Sequence, residues 1–282
     1  MQKESRELLL EKLKLIEKWE NDQQGLWFWE KIGRIPFKIL DKLTPAFIQK
    51  KIGVLLDELG SFIQTGGQYL TQEKMIFNKV QKYTADEISE VKDISNVPLV
   101  VMNSVSDDLK RNRKNLATAQ GATTGFGGLF TLAIDIPVLL GLSLKTLQEI
   151  SIAYGYDPKE KAERIFIVKC LQFASADYVG KQSVLKELSN FYDRRKGQSE
   201  IMSQLQGWRE VVYTYRDHFG WKKLLQMVPI AGMIFGAYAN RTMIQDLSEA
   251  GIMLYQKRRI MDRLNELEEE KTNEKEIENT TQ

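Results

Sequence analysis

Apolar residues recur at helical spacing along most of the chain. Between Leu8 and Trp19 they form one stripe among charged residues, which predicts an amphipathic helix over residues 5–20. The same spacing and helix-start signals predict further helices after Thr44-Pro45, near 71–83, after Thr84 with Glu87 in a capping box, after Pro98, from Pro158 to about 180, and over roughly 241–269. Because few segments alternate polar and apolar residues, the chain is predicted to be all-α.

One apolar segment lacks the polar face of an ordinary soluble helix. Residues 126–144 are almost entirely apolar, so they must be buried on nearly all sides by protein or by lipid. Nineteen residues could span a bilayer, but Asp135 costs roughly 2.5–3.5 kcal/mol on insertion scales and Pro137 lies beside it. Three alternatives stay open: a spanning helix, a peripheral or re-entrant membrane contact, and a soluble core helix.

Small residues stand at close-packing spacing in two apolar elements. Gly121-xxx-Gly125 and Gly232-xxx-Gly236 would each let a neighbouring helix approach closely. The close-packing candidates are Gly121, Gly125, Gly127, Gly128, Gly232 and Gly236. We therefore expect a multi-helix bundle with two Gly-rich apolar elements packed in its core. No Lys-Ser/Thr follows the first cluster and no βαβ unit surrounds it, so nucleotide binding is not expected.

Charge divides the chain unevenly. The net charge is +2; residues 262–282 hold eight acids and three bases, which is −5, so the rest carries +7. A basic body either favours binding to an anionic membrane surface or only keeps the protein soluble. Nucleic acid is not expected as a partner. The predicted division is an N-terminal amphipathic helix (1–25), a helical domain (26–260) and a charged, disordered tail (261–282).

Candidate chemistry is sparse. The single cysteine, Cys170, excludes an intrachain disulfide and fits a reducing cytoplasm, and the N-terminus lacks a secretory apolar core. His218 is the only histidine and has no cluster of partner ligands, so neither a metal nor a cofactor is expected. No catalytic signature is present.

Aromatic and basic residues interleave in the segment 26–42, here called the aromatic–basic segment. It contains Trp27, Phe28, Trp29, Lys31, Arg34 and Lys38. Rings at the headgroup level with cations facing anionic lipid are typical of a membrane-surface element. The alternative is an aromatic cluster folded back over the helix bundle.

Polar residues in the apolar core need partners. Asp135 and Glu149 lie fourteen residues apart, which puts them within about 40° on one helix face but about 21 Å apart, too far for a paired-carboxylate site. A buried acid must be paired or protonated, and Arg241 is the expected partner of one of them. Structural ion pairing and a catalytic or ligand site remain the alternatives. The basic run Lys110–Lys114 is either a solvated helix face or an anion site.

These same residues resemble the EcsC protein family. The resemblance rests on Gly125-Phe-Gly-Gly128, Ala133-Ile-Asp135-Ile-Pro137, Gln148-Glu149-Ile150, Tyr154-Gly155-Tyr156-Asp157-Pro158 and Val228-Pro229-Ile-Ala-Gly232, and covers roughly residues 30–260. The family is named for a third component encoded beside the ATPase and membrane subunits of an ABC transporter. The resemblance implies a context rather than a reaction, and it brings no catalytic residues.

The expected function is therefore that of an accessory or interaction protein at the cytoplasmic face of the plasma membrane, with a membrane surface and ABC transporter subunits as partners. The alternative is a hydrolase-type enzyme that acts on a lipid or peptide through Asp135 and Glu149.

Overall fold

The computed structural model of the protein describes residues 4–23, 57–66, 71–124, 129–175, 178–192 and 232–280. Within these ranges, only the backbone is described for residues 122–124, 129–137, 175, 178–180, 190, 232–239 and 275–280. Its helices are α1 (Arg6–Asp22), α2 (Glu73–Val80), α3 (Val91–Ile94), α4 (Leu99–Thr124), α5 (Leu129–Ala153), α6 (Lys161–Ser175), α7 (Tyr178–Tyr192) and α8 (Gly232–Thr280). Residues 57–65 are also helical. These residues include no β-strand, and the predicted all-α class is confirmed.

The longest helix, α8, is the element against which the others pack. Its 49 residues give a length of about 73 Å at 1.5 Å per residue, nearly twice that of α4 with 26 residues. It lies against α4, α5, α6 and α1 and buries Ile244, Leu247, Leu254 and Ile260. The hydrophobic core is therefore arranged around α8.

The helix α5 is covered by protein over its C-terminal half. From residue 139 to residue 153 nearly every side chain is buried. The buried hydroxyls of Ser143 and Thr146 donate to carbonyls of their own helix, Leu139 O at 2.8 Å and Leu142 O at 2.7 Å. Because these hydroxyls find partners within α5, the helix can bury its polar positions among apolar neighbours.

A glycine brings α8 close to α5, but it is not one of those expected. A Cβ added at Gly251 would lie 2.7 Å from Leu147 Cδ2 and 3.3 Å from Ile150 Cδ1. Any larger residue would therefore displace side chains of α5. Gly232 and Gly236 lie in the first turns of α8 and Gly121 is buried near the end of α4, and their close packing remains a prediction. Gly125, Gly127 and Gly128 lie outside the described residues.

Several helix boundaries differ from the prediction. No helix begins at Thr84, whose hydroxyl accepts from the Asp86 N–H at 3.1 Å in a local turn. The next helix is α3, where the Asp93 carboxylate accepts from the N–H groups of Ser89 and Glu90 at 2.9 and 2.8 Å. These two hydrogen bonds lower the pKa of Asp93. The predicted capping box was thus placed six residues too early in the chain, since the observed box consists of Glu90 and Asp93.

The start of α6 and the end of α8 also differ. Asp157 accepts from the Lys159 N–H at 2.8 Å as expected of a cap, but residues 157–160 form a turn and α6 begins at Lys161. At the other end, the helix continues through the segment expected to be a disordered tail, as far as Thr280. Arg263 and Leu264, within that segment, are buried. The body therefore extends past residue 260.

A tight turn after α5 depends on Gly155. Its φ is +77°, a left-handed conformation that side chains disfavour. An added Cβ would also lie 2.7 Å from the Ser95 backbone nitrogen and 3.2 Å from Arg259 Nη2. The turn thus passes directly against another backbone segment.

We expect Gly155→Ala to lower the free energy of unfolding by about 2–4 kcal/mol, because left-handed strain adds to a backbone clash. Chemical denaturation monitored by circular dichroism measures this loss. The matched control is Gly60→Ala within residues 57–65, where an added Cβ meets nothing within 4 Å. This control should raise stability by about 0.5–1 kcal/mol, and equal effects of the two substitutions would contradict the expectation.

Candidate functional site

The turn after α5 is held against α8 by one arginine. Arg259 donates from Nε and Nη2 to the carbonyl of Tyr154 at 2.9 and 2.7 Å, and from Nη2 to that of Gly155 at 3.2 Å. Carbonyls at the end of a helix have no partner within the helix. Arg259 therefore supplies the missing donors at the C-terminus of α5 and fixes this turn to α8.

A second arginine joins α6 to the same place. Arg258 Nη1 lies 2.7 Å from Glu163 Oε2, and the Tyr255 hydroxyl donates to the other oxygen of Glu163. The Arg258 guanidinium also lies 4.0 Å from the Tyr156 ring centroid, and that of Arg259 lies 4.3 Å from the same ring. We call Tyr154, Tyr156, Glu163, Tyr255, Arg258 and Arg259 the arginine–tyrosine cluster.

Burial keeps the hydroxyls of this cluster protonated. It raises the pKa values of Tyr154, Tyr156 and Tyr255 above their usual range, so these groups donate hydrogen bonds, to Asn103 at 2.6 Å from Tyr154 and to Asp262 at 2.8 Å from Tyr156. Burial is the largest single effect on the pKa of Arg258 and lowers it, but attraction by Glu163, together with smaller contributions from Tyr156, Tyr255 and Asp262, outweighs burial and the pKa is raised. The tyrosines and Arg258 thus keep a fixed charge near neutral pH, as suits a structural clamp.

The buried acid Glu149 also has an arginine partner, but not the expected one. Arg113 of α4 holds both carboxylate oxygens, with Nε 2.7 Å from Oε2 and Nη2 in contact with Oε1. Arg241 instead donates to the Thr118 hydroxyl at 3.4 Å. Arg113 from the basic run therefore occupies the place beside Glu149, and the expectation that Arg241 pairs with one of the two acids stays a prediction for Asp135 alone. The side chain of Asp135 lies outside the described residues, although α5 does run through both positions.

The N-terminal helix α1 is anchored on α8 by polar contacts at both ends. Glu4 accepts from the Leu99 backbone N–H, at the start of α4, and from Arg263. Near the other end, Lys257 Nζ lies 2.6 and 2.9 Å from the two carboxylate oxygens of Glu20. Position 4 thus caps α4 across ninety-five residues of sequence, and α1 forms part of the folded body.

The chain matches a known family over most of its length. A sequence profile of the EcsC protein family matches residues 11–260. The chain belongs to the EcsC protein family. A Bacillus subtilis (strain 168) protein described as uncharacterized, YdbA, is 62% identical over 271 residues, covering 96% of this chain and 99% of that protein. The B. subtilis protein EcsC is 31% identical over 162 residues, covering 57% of this chain and 65% of EcsC. No solved structure matches.

Two of the motifs that resemble the EcsC family have visible structural roles. The motif Tyr154–Pro158 forms the turn that Arg259 and Arg258 hold, and the motif Gln148–Ile150 contains the partner of Arg113. The family match begins at residue 11, within α1, rather than near residue 30 as expected. The aromatic–basic segment, including Trp27, Phe28, Trp29, Lys31, Arg34 and Lys38, lies inside the match but outside the described residues.

The sequence pattern did not single out the arginines of α8. The one usable signal was the basic triplet at 257–259, which stands between the apolar positions Tyr255 and Ile260 of one predicted helix. Three consecutive charges cannot all face solvent on a helix that is buried on most sides. Such a triplet within an apolar stripe indicates buried cations, for which acidic or carbonyl partners must exist.

The part of the chain that the structure describes contains neither a cluster of metal-ligating side chains nor a helix that could span a membrane. There, no three His, Cys, Asp or Glu side chains lie together as metal ligands would. Among the described helices, none combines the length and apolar character needed to cross a membrane.

We expect Glu149→Gln to destabilise the protein by about 3–5 kcal/mol, because it leaves the guanidinium of Arg113 buried without its counter-charge. The double variant Arg113→Leu/Glu149→Leu should recover most of that loss, since two apolar groups can replace a buried ion pair. Urea denaturation of both variants measures the difference.

The control for this pair is Asp108→Asn, which removes the negative charge from an ion pair with Arg111, an arginine whose side chain is 70% exposed. Exposed pairs contribute about 0–1 kcal/mol. A loss from Glu149→Gln no larger than that from Asp108→Asn would show that the buried pair does not stabilise the fold.

Proposed function

We propose that this protein is an accessory interaction protein that works at the cytoplasmic face of the plasma membrane beside an ABC transporter or secretion process. The observation that carries the proposal is the outer surface of α1, which exposes apolar side chains and leads directly into the aromatic–basic segment. Leu8 is 40% exposed and Leu15 is 62% exposed.

The two exposed leucines lie on one side of α1. They are seven residues apart, which is about two helical turns. Another side of the helix buries Leu9 and Ile16 against the body. Because α1 is anchored by Glu4 and Glu20, its exposed leucines keep a fixed position relative to the bundle. This arrangement supports an outward apolar contact made by a folded protein.

The sequence that follows α1 supplies the other requirement of a membrane surface contact. Only a few residues separate the end of α1 at Asp22 from the aromatic–basic segment. Aromatic rings and cations together suit the headgroup region of an anionic bilayer. Because α1 is anchored, the end of α1 at Asp22, which precedes this segment in the chain, has a fixed place on the body.

Family membership supports the transporter part of the proposal, since the family takes its name from a component encoded with an ABC transporter. The bidentate contact of Arg113 counts against the hydrolase alternative. That alternative needs Glu149 as an acid or base, whereas its carboxylate is completely buried and both oxygens are already engaged.

We expect the purified protein to float with anionic phospholipid vesicles and to be released by high salt, because salt screens attraction between exposed charges. The variant Lys31→Gln/Arg34→Gln/Lys38→Gln should bind on the order of 100-fold more weakly, at about 1 kcal/mol per cation. Trp27→Ala/Trp29→Ala should weaken binding to anionic vesicles as well.

The matched control Lys74→Gln/Lys82→Gln/Lys145→Gln removes the same charge from exposed positions outside α1 and the aromatic–basic segment and should bind as the unchanged protein does. Equal losses in the two triple variants would mean that net charge alone governs binding. A protein that stays with the supernatant at low salt would contradict the membrane proposal.

The transporter part of the proposal predicts that a subunit of an ABC transporter lies next to α1 in cells. A photo-crosslinking amino acid placed at position 15 in cells should capture the ATPase or membrane subunit of an ABC transporter, identified by mass spectrometry. The same photo-crosslinking amino acid at position 82, which is exposed outside α1, should not capture a transporter subunit. Absence of any transporter subunit from the position-15 products would contradict this part.

A further inference from the structure

The helices α4 and α8 run antiparallel to each other. Arg263 of α8 donates to the carbonyl of Val97, just before α4 begins, whereas Arg241 donates to the Thr118 hydroxyl, near the end of α4. Positions that decrease along α8 thus match positions that increase along α4. The start of α8 therefore lies close to the level at which α4 ends.

The helices α5 and α8, in contrast, run parallel to each other. Gly251 of α8 packs against Leu147 of α5, and Arg259, further along α8, donates to the carbonyl of Tyr154. Each contact joins residues about 105 positions apart in the sequence, which places the start of α8 beside the start of α5. The end of α4, the start of α5 and the start of α8 thus lie at one end of the bundle.

This end of the bundle contains no charged residue. Residues 115–124 of α4, 129–134 of α5 and 232–240 of α8 include no Asp, Glu, Lys or Arg, although these make up 28% of the whole chain. We call these three helical stretches the uncharged end. The stretch of α8 extends about 13 Å along its helix. This length is close to half of a hydrocarbon core about 30 Å thick, which is one leaflet of a bilayer.

Cations border the uncharged end on two of its three helices. Moving away from it, the first charged residue of α4 is Lys114, the last member of the basic run, and that of α8 is Arg241. Both side chains are partly exposed. On α5 the first charged residue is Asp135, which the offset between α5 and α8 places near the level of Arg241. Lys and Arg at the edge of an uncharged region suit a border with anionic lipid headgroups.

Apolar side chains are exposed at the same border. Leu116 of α4 is 49% exposed and Val138 of α5 is 48% exposed, and Ala119, about one turn beyond Leu116, is exposed too. From residue 139 onwards, α5 is covered by protein. Exposed apolar groups beside cations are what the boundary between hydrocarbon and headgroups requires.

The N-terminal helix leads to this border as well. Glu4 contacts Arg263 and Trp19 contacts Glu249, so α1 runs antiparallel to α8. Its end at Asp22 therefore lies less than two helical turns of α8 from the cation that borders the uncharged end. The aromatic–basic segment follows Asp22 in the chain. The part of the body that precedes this segment is thus close to the level at which the uncharged end begins.

We propose that the uncharged end inserts into one leaflet of an anionic phospholipid bilayer, with Lys114 and Arg241 among the headgroups. This inference rests on the proposed function, because it takes the membrane as partner, and it adds which part of the body enters the lipid. A depth of about 13 Å reaches the hydrocarbon without crossing the bilayer. Withdrawing Asp135 from water opposes insertion, so insertion supplements the attraction between cations and headgroups, and high salt still releases the protein.

Fluorescent probes on single cysteines test the insertion. Leu116→Cys, Ala119→Cys and Val138→Cys each carry an environment-sensitive fluorophore, and the vesicles contain phosphatidylcholine and phosphatidylglycerol. The native Cys170 does not compete for the label, since it is buried and burial raises the pKa of its thiol. Emission at each position should rise about twofold or more when vesicles are added, because the probe leaves water for hydrocarbon. A nitroxide on the lipid acyl chain should then quench most of that emission.

The matched control is Val100→Cys, because Val100 is an apolar residue of the same helix and is 62% exposed. It lies about 28 Å from Ala119 along α4, at the opposite end of the bundle. Its probe should show neither the rise in emission nor the quenching by acyl-chain nitroxide. It should remain accessible to aqueous iodide with and without vesicles.

The outcomes separate this inference from the membrane proposal. If the protein floats with vesicles while all three probes stay as accessible to iodide as in free protein, insertion is overturned and the membrane proposal stands. Probes that are shielded from iodide before vesicles are added would also overturn insertion, because protein, such as a second copy of the chain, then covers this end.

Two further outcomes concern the aromatic–basic segment. Acyl-chain quenching that persists in Lys31→Gln/Arg34→Gln/Lys38→Gln would support insertion and contradict the role proposed for that segment. A protein that does not float with anionic vesicles at low salt would overturn both.

Discussion

Burying a cation costs several kcal/mol unless partners surround it, and α8 largely removes three arginines from water within six residues. Arg258 requires Glu163 of α6, Arg259 requires the carbonyls that end α5, and Arg263 requires Glu4 together with the carbonyls of Ser95 and Val97. Each requirement fixes a different segment to the same helix. The packing of α1, α5 and α6 around α8 therefore depends on satisfying these charges, besides burying apolar surface.

Local signals in the sequence predicted the presence of the described helices well. They predicted the ends of these helices and the contacts between them poorly. Helices occur where the stripe from Leu8 to Trp19 and the start signal at Pro98 predicted them. These signals succeed because amphipathic spacing and proline act within a few residues. The capping box at Thr84 failed because its hydroxyl closes a local turn instead, and a helix-start motif cannot distinguish these outcomes. The charged tail was expected to be disordered, but Arg263 and Leu264 find partners far away in the sequence, which composition does not reveal.

The polar residues of the core show the same difference between what local sequence predicts and what long-range packing decides. The apolar surroundings of Glu149 in the sequence were enough to predict that it needs a cation, whereas the choice of Arg113 over Arg241 depends on how α4 lies against α5. Asp246 carries no sequence signal, since an acid in an amphipathic helix is ordinary. Burial and repulsion by Glu249 raise the pKa of Asp246 against the opposing effect of Lys181 and Lys110, and these surroundings exist only once α4, α7 and α8 have packed together.

The position of α8 in the chain has a consequence for synthesis. Glu4 contacts Arg263 across 259 residues, and the helices that pack on α8 all precede it. They leave the ribosome before their common partner exists, with apolar faces such as that of α5 still uncovered. Exposed apolar surface on a growing chain invites aggregation. The nascent protein can therefore complete its core only after α8 has emerged from the ribosome.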